Sequence, residues 1–272
     1  MFRTGRTLLA TMIALAASAG AALAANSPWQ DLGGGKARLL AELDPTTNAV
    51  SGVVEIALDP GWKTYWRQPG SSGIPPQFDF SGSREFSAGD VTFPVPEHVV
   101  VPDSDFVGYH GRVLFTFSGT ANTLDPDGRI RLGLLAGVCK DICIPASAEF
   151  EIPFNQLMVS DPVAEGVVAD AAQDLPGKPT DDFAVMSARI ANGALEIATR
   201  VPAENGKADL FVEGPPGWRL LPAVAESDSG TKRRFSLDLS RVPAGTDVDS
   251  VSLRFTLVQD GRGIEQWLKP SE

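Results

Sequence analysis

The sequence predicts an all-β protein: two antiparallel β-sandwiches joined by a short helical linker. Two observations predict this fold. Apolar residues alternate with polar ones at period two wherever a pattern is visible, and turn-forming residues interrupt those runs at the spacing of sandwich strands. A single stretch with helical periodicity and its own cap divides the chain in two. With 272 residues, each half is long enough to bury a core without covalent help.

The amino terminus reads as an export signal. Residues 1–6 carry Arg3 and Arg6, residues 8–23 are apolar and alanine-rich, and Ala22-Leu23-Ala24 offers small residues for cleavage. A signal peptide is therefore expected over residues 1–25, cut after Ala24 or Ala25. Ser18 and Gly20 interrupt the stretch, which falls short of the roughly 20 strongly apolar residues of a membrane span. No later segment is apolar enough to span, so the expectation is an exported protein without stable membrane insertion. Losing the two arginines moves the formal charge from −11 to −13, with 21 basic residues left against 34 acidic. That balance argues against nucleic acid and anionic lipid as partners, because like charges repel.

The first sandwich is expected over residues 26–160. Val113, Phe115 and Phe117 alternate with polar or outward positions, as do Ile130, Leu132 and Leu134, then Phe150, Ile152 and Phe154. Asp44-Pro45, Asp59-Pro60-Gly61, residues 70–76 and Asp125-Pro126-Asp127-Gly128 place the turns. Residues 161–177 form the linker. Asp161 can cap a helix, Pro162 suits its first position, Ala164, Val167, Val168 and Ala171 continue it, and Pro176-Gly177 ends it.

The second sandwich is expected over residues 178–272. Phe235, Leu237 and Leu239 alternate cleanly, as do Val251, Leu253, Phe255 and Leu257, with turns at Asn192-Gly193, 214–217 and 243–245. Each half has its own strands and turns and is expected to fold by itself. Pro-Gly-Trp occurs in both, ending at Trp62 and Trp218, an echo that a chain rich in Pro and Gly can produce by chance.

The only two cysteines lie four apart, in Val138-Cys139-Lys140-Asp141-Ile142-Cys143-Ile144-Pro145. They follow the strand at 130–137 and precede the one at 150–154, which places them in or beside a hairpin connection. Closing so short a loop removes little chain entropy, about 2 kcal/mol against about 4.7 for a loop of 100 residues. Three readings stay open on spacing alone: an inert structural disulfide, an exchanging pair, and a metal site. Lys140 favours a thiolate and Asp141 opposes one. His98 and His110 bring the possible ligands to four, but they lack the short paired spacing of structural zinc and read as loop histidines. Copper(I) suits soft thiolates and stays open. There is no nucleophile elbow, phosphate loop, His-Glu-x-x-His or dinucleotide fingerprint.

Four segments taken in order are similar to a known family. Pro60-Gly61-Trp62-Lys63-Thr64-Tyr65-Trp66-Arg67-Gln68-Pro69-Gly70, then Gly73-Ile74-Pro75-Pro76, Gly108-Tyr109 and finally Cys139-Lys140-Asp141-Ile142-Cys143-Ile144-Pro145 resemble the amino-terminal periplasmic domain of DsbD-type thiol:disulfide interchange proteins. The likeness covers about residues 30–155 and is closest to the branch that includes the copper-sensitivity suppressor ScsB. It implies an immunoglobulin-like sandwich in the periplasm that needs no cofactor. Such a domain accepts reducing equivalents from a membrane-embedded thiol electron transporter and passes them to oxidised periplasmic proteins. By position, Cys143 matches the attacking cysteine and Cys139 the resolving one. Asp103-Ser104-Asp105-Phe106-Val107-Gly108-Tyr109 resembles the family's cap loop over the disulfide, with Phe106 at its tip and Tyr109 nearby; a buried Phe at a strand end is the alternative. Trp62, Tyr65 and Trp66 are expected to be core and turn packing. The chain has three residues between its cysteines where the best-studied branch has five. The rival reading is a periplasmic binding protein or copper(I) chaperone with a structural or metal-ligating pair.

Overall fold

A computed structural model describes residues 23–70, 73–101, 104–218 and 220–271. Most of the expected signal peptide lies outside them. In chain order the first half contains β1 (Leu23–Asn26), β2 (Gln30–Asp31), β3 (Gly35–Asp44), β4 (Ala49–Leu58), β5 (Lys63–Gly70) and β6 (Gln77–Asp79). It continues with β7 (Phe86–Thr92), β8 (Glu97–Val101), β9 (Ser104–His110), β10 (Arg112–Ala121), β11 (Arg129–Cys139) and β12 (Cys143–Pro153). A short turn of helix α1 (Phe154–Leu157) leads to α2 (Pro162–Ala171) and a 3₁₀ turn at Ala172–Asp174. The second half contains β13 (Ala184–Ala191), β14 (Ala194–Arg200), β15 (Ala208–Glu213), β16 (Val224–Ser229), β17 (Lys232–Asp238), β18 (Leu253–Gln259) and β19 (Arg262–Leu268).

Among the described residues these strands form four antiparallel sheets. The first sandwich stacks β1-β3-β4-β10-β7 on β12-β11-β5-β9-β8, with β2 and β6 as short additions to β3 and β11. The second stacks β13-β14-β17-β16 on β15-β18-β19. The expected alternation holds where it was strongest: Val113, Phe115 and Phe117 are buried on β10, and Ile130, Leu132 and Leu134 on β11. Leu253, Phe255 and Leu257 do the same on β18.

The helix starts as its cap predicts, with the Asp161 carboxylate accepting from the Val163 and Ala164 backbone N–H groups and Pro162 at the first position. It does more than connect. Ala164, Val167 and Ala171 pack against Leu40, Val53 and Leu114, which covers the outer face of the first sandwich. With both faces covered, β3 and β4 bury adjacent residues such as Leu39 and Leu40 or Val53 and Val54, so their sequence shows no alternation.

The two sandwiches share a core. Phe211 of β15 and Val258 of β18 belong to the first sandwich's apolar cluster, and Phe211 sits 5.3 Å from the Trp66 ring. Beside this contact Arg67 of β5 donates to Glu213 at 2.7 Å and to Glu265 of β19 while stacking on Trp66 at 4.3 Å. The backbone joins in, with Gly177 N–H donating to the Gly263 carbonyl at 2.8 Å and Glu265 N–H to the Gly177 carbonyl at 2.9 Å. The Pro-Gly-Trp echo is structural. In both copies the glycine has positive φ, and the Trp ring lies on a second glycine, Gly34 under Trp62 and Gly214 under Trp218.

Candidate functional site

Cys139 ends β11 and Cys143 begins β12, and the two are direct partners in the hairpin ladder. Their sulfurs form a disulfide across the mouth of a three-residue turn, Lys140-Asp141-Ile142, with Cα atoms 4.1 Å apart. The two sulfurs live in different surroundings. Cys139 is 1% exposed, whereas Cys143 is exposed to solvent and flanked by Ile142 at 76% and Ile144 at 39% exposure. Two exposed isoleucines beside one sulfur leave an apolar rim around it, an arrangement that suits contact with another protein surface.

Tyr65 lies under the bond. Its hydroxyl is 3.0 Å from both sulfurs, and since a disulfide sulfur carries no proton the hydroxyl must be the donor. Burial pushes the Tyr65 phenol above its ordinary value, so it keeps that proton through the physiological range. Strand pairing puts it there: β5 meets the end of β11 through Val138 opposite Thr64 and Cys139 opposite Lys63, and the Thr64 hydroxyl donates to the Gly137 carbonyl at 2.9 Å. Three glycines make room for the ring or its strand. A Cβ at Gly73 would lie 2.5 Å from the Tyr65 ring, one at Gly137 3.0 Å from it, and one at Gly108 2.1 Å from the Thr64 carbonyl oxygen.

Phe106 closes the far side. It is buried, meets the Tyr65 ring edge to face at 5.3 Å, and forms with Tyr65 and Cys139 a small apolar cluster apart from the main core. The Lys63 ammonium stands 4.5 Å above the Phe106 ring. The segment expected to be a cap loop is an arm of the β8–β9 hairpin, in which Pro102 and Asp103 lie outside the described residues. Tyr109 is not part of the site. Strand parity turns it to the other face of β9, where its hydroxyl donates to the Pro94 carbonyl at 2.8 Å and its ring packs on Phe115.

Neither histidine is placed at the sulfurs, although the His110 ring meets Phe106 edge to face at 5.6 Å. His98 Nδ1 is 3.2 Å from Asp209 at the junction of the sandwiches, and His110 Nδ1 is 2.9 Å from Glu97. Lys140 and Asp141 are both exposed at the tip of the turn, and the Lys140 stem passes over Gly61. Tyr65 and Lys63 are the residues the sequence reading did not place at the sulfurs. The available signal was parity: in one strand Tyr65 and Trp66 cannot face the same side, and Trp66 is the one in the core.

Residues 36–155 match the family model for the N-terminal part of the thiol:disulfide interchange protein DsbD. This segment is similar to the DsbD N-terminal family. The crystal structure of the N-terminal periplasmic domain of ScsB from Proteus mirabilis is similar to the chain with a TM-score of 0.73 at 20% identity, over 91% of this chain and 98% of that one. That coverage extends the shared fold beyond the DsbD-type segment into the second sandwich. A structure described under pH-induced modulation of Streptococcus parasanguinis adhesion by Fap1 fimbriae aligns over 82% of this chain and 99% of its own at 12% identity, with a TM-score of 0.27, and nothing rests on it. No curated protein matched the chain. No described helix is long and apolar enough to cross a membrane.

Proposed function

We propose that the chain works in the periplasm, after export and removal of its signal peptide, as a thiol:disulfide interchange protein. It takes reducing equivalents from a membrane-embedded thiol electron transporter and hands them to oxidised periplasmic proteins through the Cys139/Cys143 couple. The observation that carries the proposal is the unequal exposure of the two sulfurs, one presented at an apolar rim and one buried directly behind it. A dithiol shuttle needs that asymmetry.

In the reduced form the Cys143 thiolate attacks a sulfur of the target disulfide. The target S–S bond breaks, one target sulfur leaves as a thiolate, and a mixed disulfide joins Cys143 to the other. The Cys139 thiolate then attacks the Cys143 sulfur, which re-forms the internal bond and releases the second target thiolate. The target has gained two electrons, and solvent supplies the two protons. Tyr65, in reach of both sulfurs, donates its hydroxyl hydrogen to whichever carries negative charge, favouring the thiolate at each stage.

Trapping tests the polarity. Cys139→Ser leaves an attacking sulfur without a resolving partner and should accumulate mixed disulfides, seen as heavier bands on non-reducing gels that collapse on reduction. Cys143→Ser should trap far fewer. Equal trapping by both would remove the assigned roles, and no trapping by either, in cells that hold the transporter, would return the pair to a structural or metal-binding role.

A further inference from the structure

We propose that the outer face of the β13-β14-β17-β16 sheet is a docking groove for an acidic polypeptide segment of another protein. Three cations meet there. Lys232 and Arg234 project from the same face of β17, and Arg200 on β14 stands directly opposite Lys232 in the ladder. They line a concavity of about 520 Å³ together with Ser227 and Ser229 of the edge strand β16 and the exposed Met186.

Like charges placed directly opposite one another destabilise a sheet. This pair persists without a compensating acid: among the described residues no carboxylate lies within ion-pair distance of Lys232 or Arg234. The Arg234 Nε donates to the Ser227 hydroxyl at 3.1 Å, and the Arg200 guanidinium to the Asp181 carbonyl at 2.9 Å. The Asp182 carboxyl is held below its ordinary value first by the Thr180 hydroxyl and only further on by Arg262 and Arg200. On the first sandwich, by contrast, Arg38 and Arg112 share Glu55, Arg131 meets Glu149 and Arg129 meets Glu151.

The chain as a whole carries a charge of −11. A long polyanion such as a nucleic acid would be repelled beyond the edges of the groove, whereas a short acidic segment needs only the groove itself. Such a segment is steered to this face and away from the rest of the surface. The serine hydroxyls add donors for its carboxylates, and Met186 offers an adaptable apolar edge for glutamate stems. The inference uses none of the thiol chemistry and assigns the second sandwich a task of its own.

Calorimetric titration of the full chain with a short polyglutamate peptide at low salt tests it. The expected result is saturable binding that weakens as salt is added, with Lys232→Glu plus Arg234→Glu losing about tenfold in affinity or more. The Gln double variant should fall between. Lys178→Glu plus Lys269→Glu makes the same change in net charge at two other exposed sites and should lose far less. Equal loss in the two charge reversals, no binding at low salt, or displacement by inorganic phosphate at equal carboxylate concentration would each overturn the proposal. So would concentration-dependent self-association abolished by Lys232→Glu, which would make the occupant a second copy. Exchange with a small aromatic disulfide should be unchanged in all these variants, so failure here leaves the redox reading untouched.

Discussion

Tyr65 shows how one atom separates packing from chemistry. Tyr65→Phe keeps the ring against Phe106 and removes only the hydroxyl shared by the sulfurs. It should raise the apparent pKa of the attacking thiol by about one unit and slow alkylation of reduced Cys143 below that pKa, with stability changed by about 1 kcal/mol or less. A pH profile of alkylation that superimposes on the parent would reduce Tyr65 to packing. The chain's two tyrosines, Tyr65 and Tyr109, are both shifted upward by burial from 10.0. The folded state therefore holds these protons more tightly than the unfolded state. Their contribution to stability is complete below about pH 10 and falls as pH rises through the folded values. Tyrosinate absorbance should consequently appear late and together with loss of near-UV circular dichroism.

The elements explain what the sequence could and could not say. β11, with its wet face, was legible by its alternation, as were β10 and β18, where the core-facing residues alternate even though Leu114 under α2 and Val258 against the first sandwich are buried on the second face; so was the capped helix. β3 and β4 were not, because α2 covers their second face and erases the period. The short additions β2 and β6 carry too few residues for any period to show. The cysteine hairpin was legible from the strands that flank it. Tyr65 was not, because an aromatic residue next to Trp66 reads as core until the strand's parity is known. Two glycines of β11 give a matched test. At Gly137 a Cβ would stand 2.9 Å from the Ile74 carbonyl oxygen and 3.0 Å from the Tyr65 ring, but at Gly133 its nearest contact is 3.7 Å. Gly137→Ala should cost about 2 kcal/mol and disturb exchange, and Gly133→Ala should be neutral or slightly stabilising. Chemical denaturation of the two variants separates the cases.

At the scale of the whole molecule, the expectation of two autonomous halves meets the shared core. Phe211 and Val258 complete the first sandwich's cluster, and Arg67 reaches 146 residues along the chain to Glu213. No local pattern announces such a pair. We propose a boundary near residue 177 as a boundary of topology more than of stability. The intact chain should unfold in one transition, and Arg67→Ala, which leaves Glu213 and Glu265 only the more distant Arg254 at 3.9 and 4.0 Å, should cost about 3 kcal/mol and lower the midpoint for both sandwiches together. Two separate transitions in calorimetry would restore the independent halves. Replacing both cysteines by serine should, in contrast, cost no more than about 2 kcal/mol and leave unfolding cooperative, because the loop it opens is short.

Cys139 and Cys143 face each other across a ladder that ten further residue pairs, from Arg129 with Pro153 to Val138 with Ile144, hold shut. Breaking the sulfur bond should open only the three-residue turn and leave the two arms paired. The reduced and oxidised forms are therefore expected to present the same outline to whatever approaches, so that a visitor learns which one it has met only by touching the sulfur. If the couple works as proposed, this hairpin gives it no latch to favour loading over delivery. On that proposal, electron flow through it is expected to follow the difference between its partners' potentials and to reverse if that difference did.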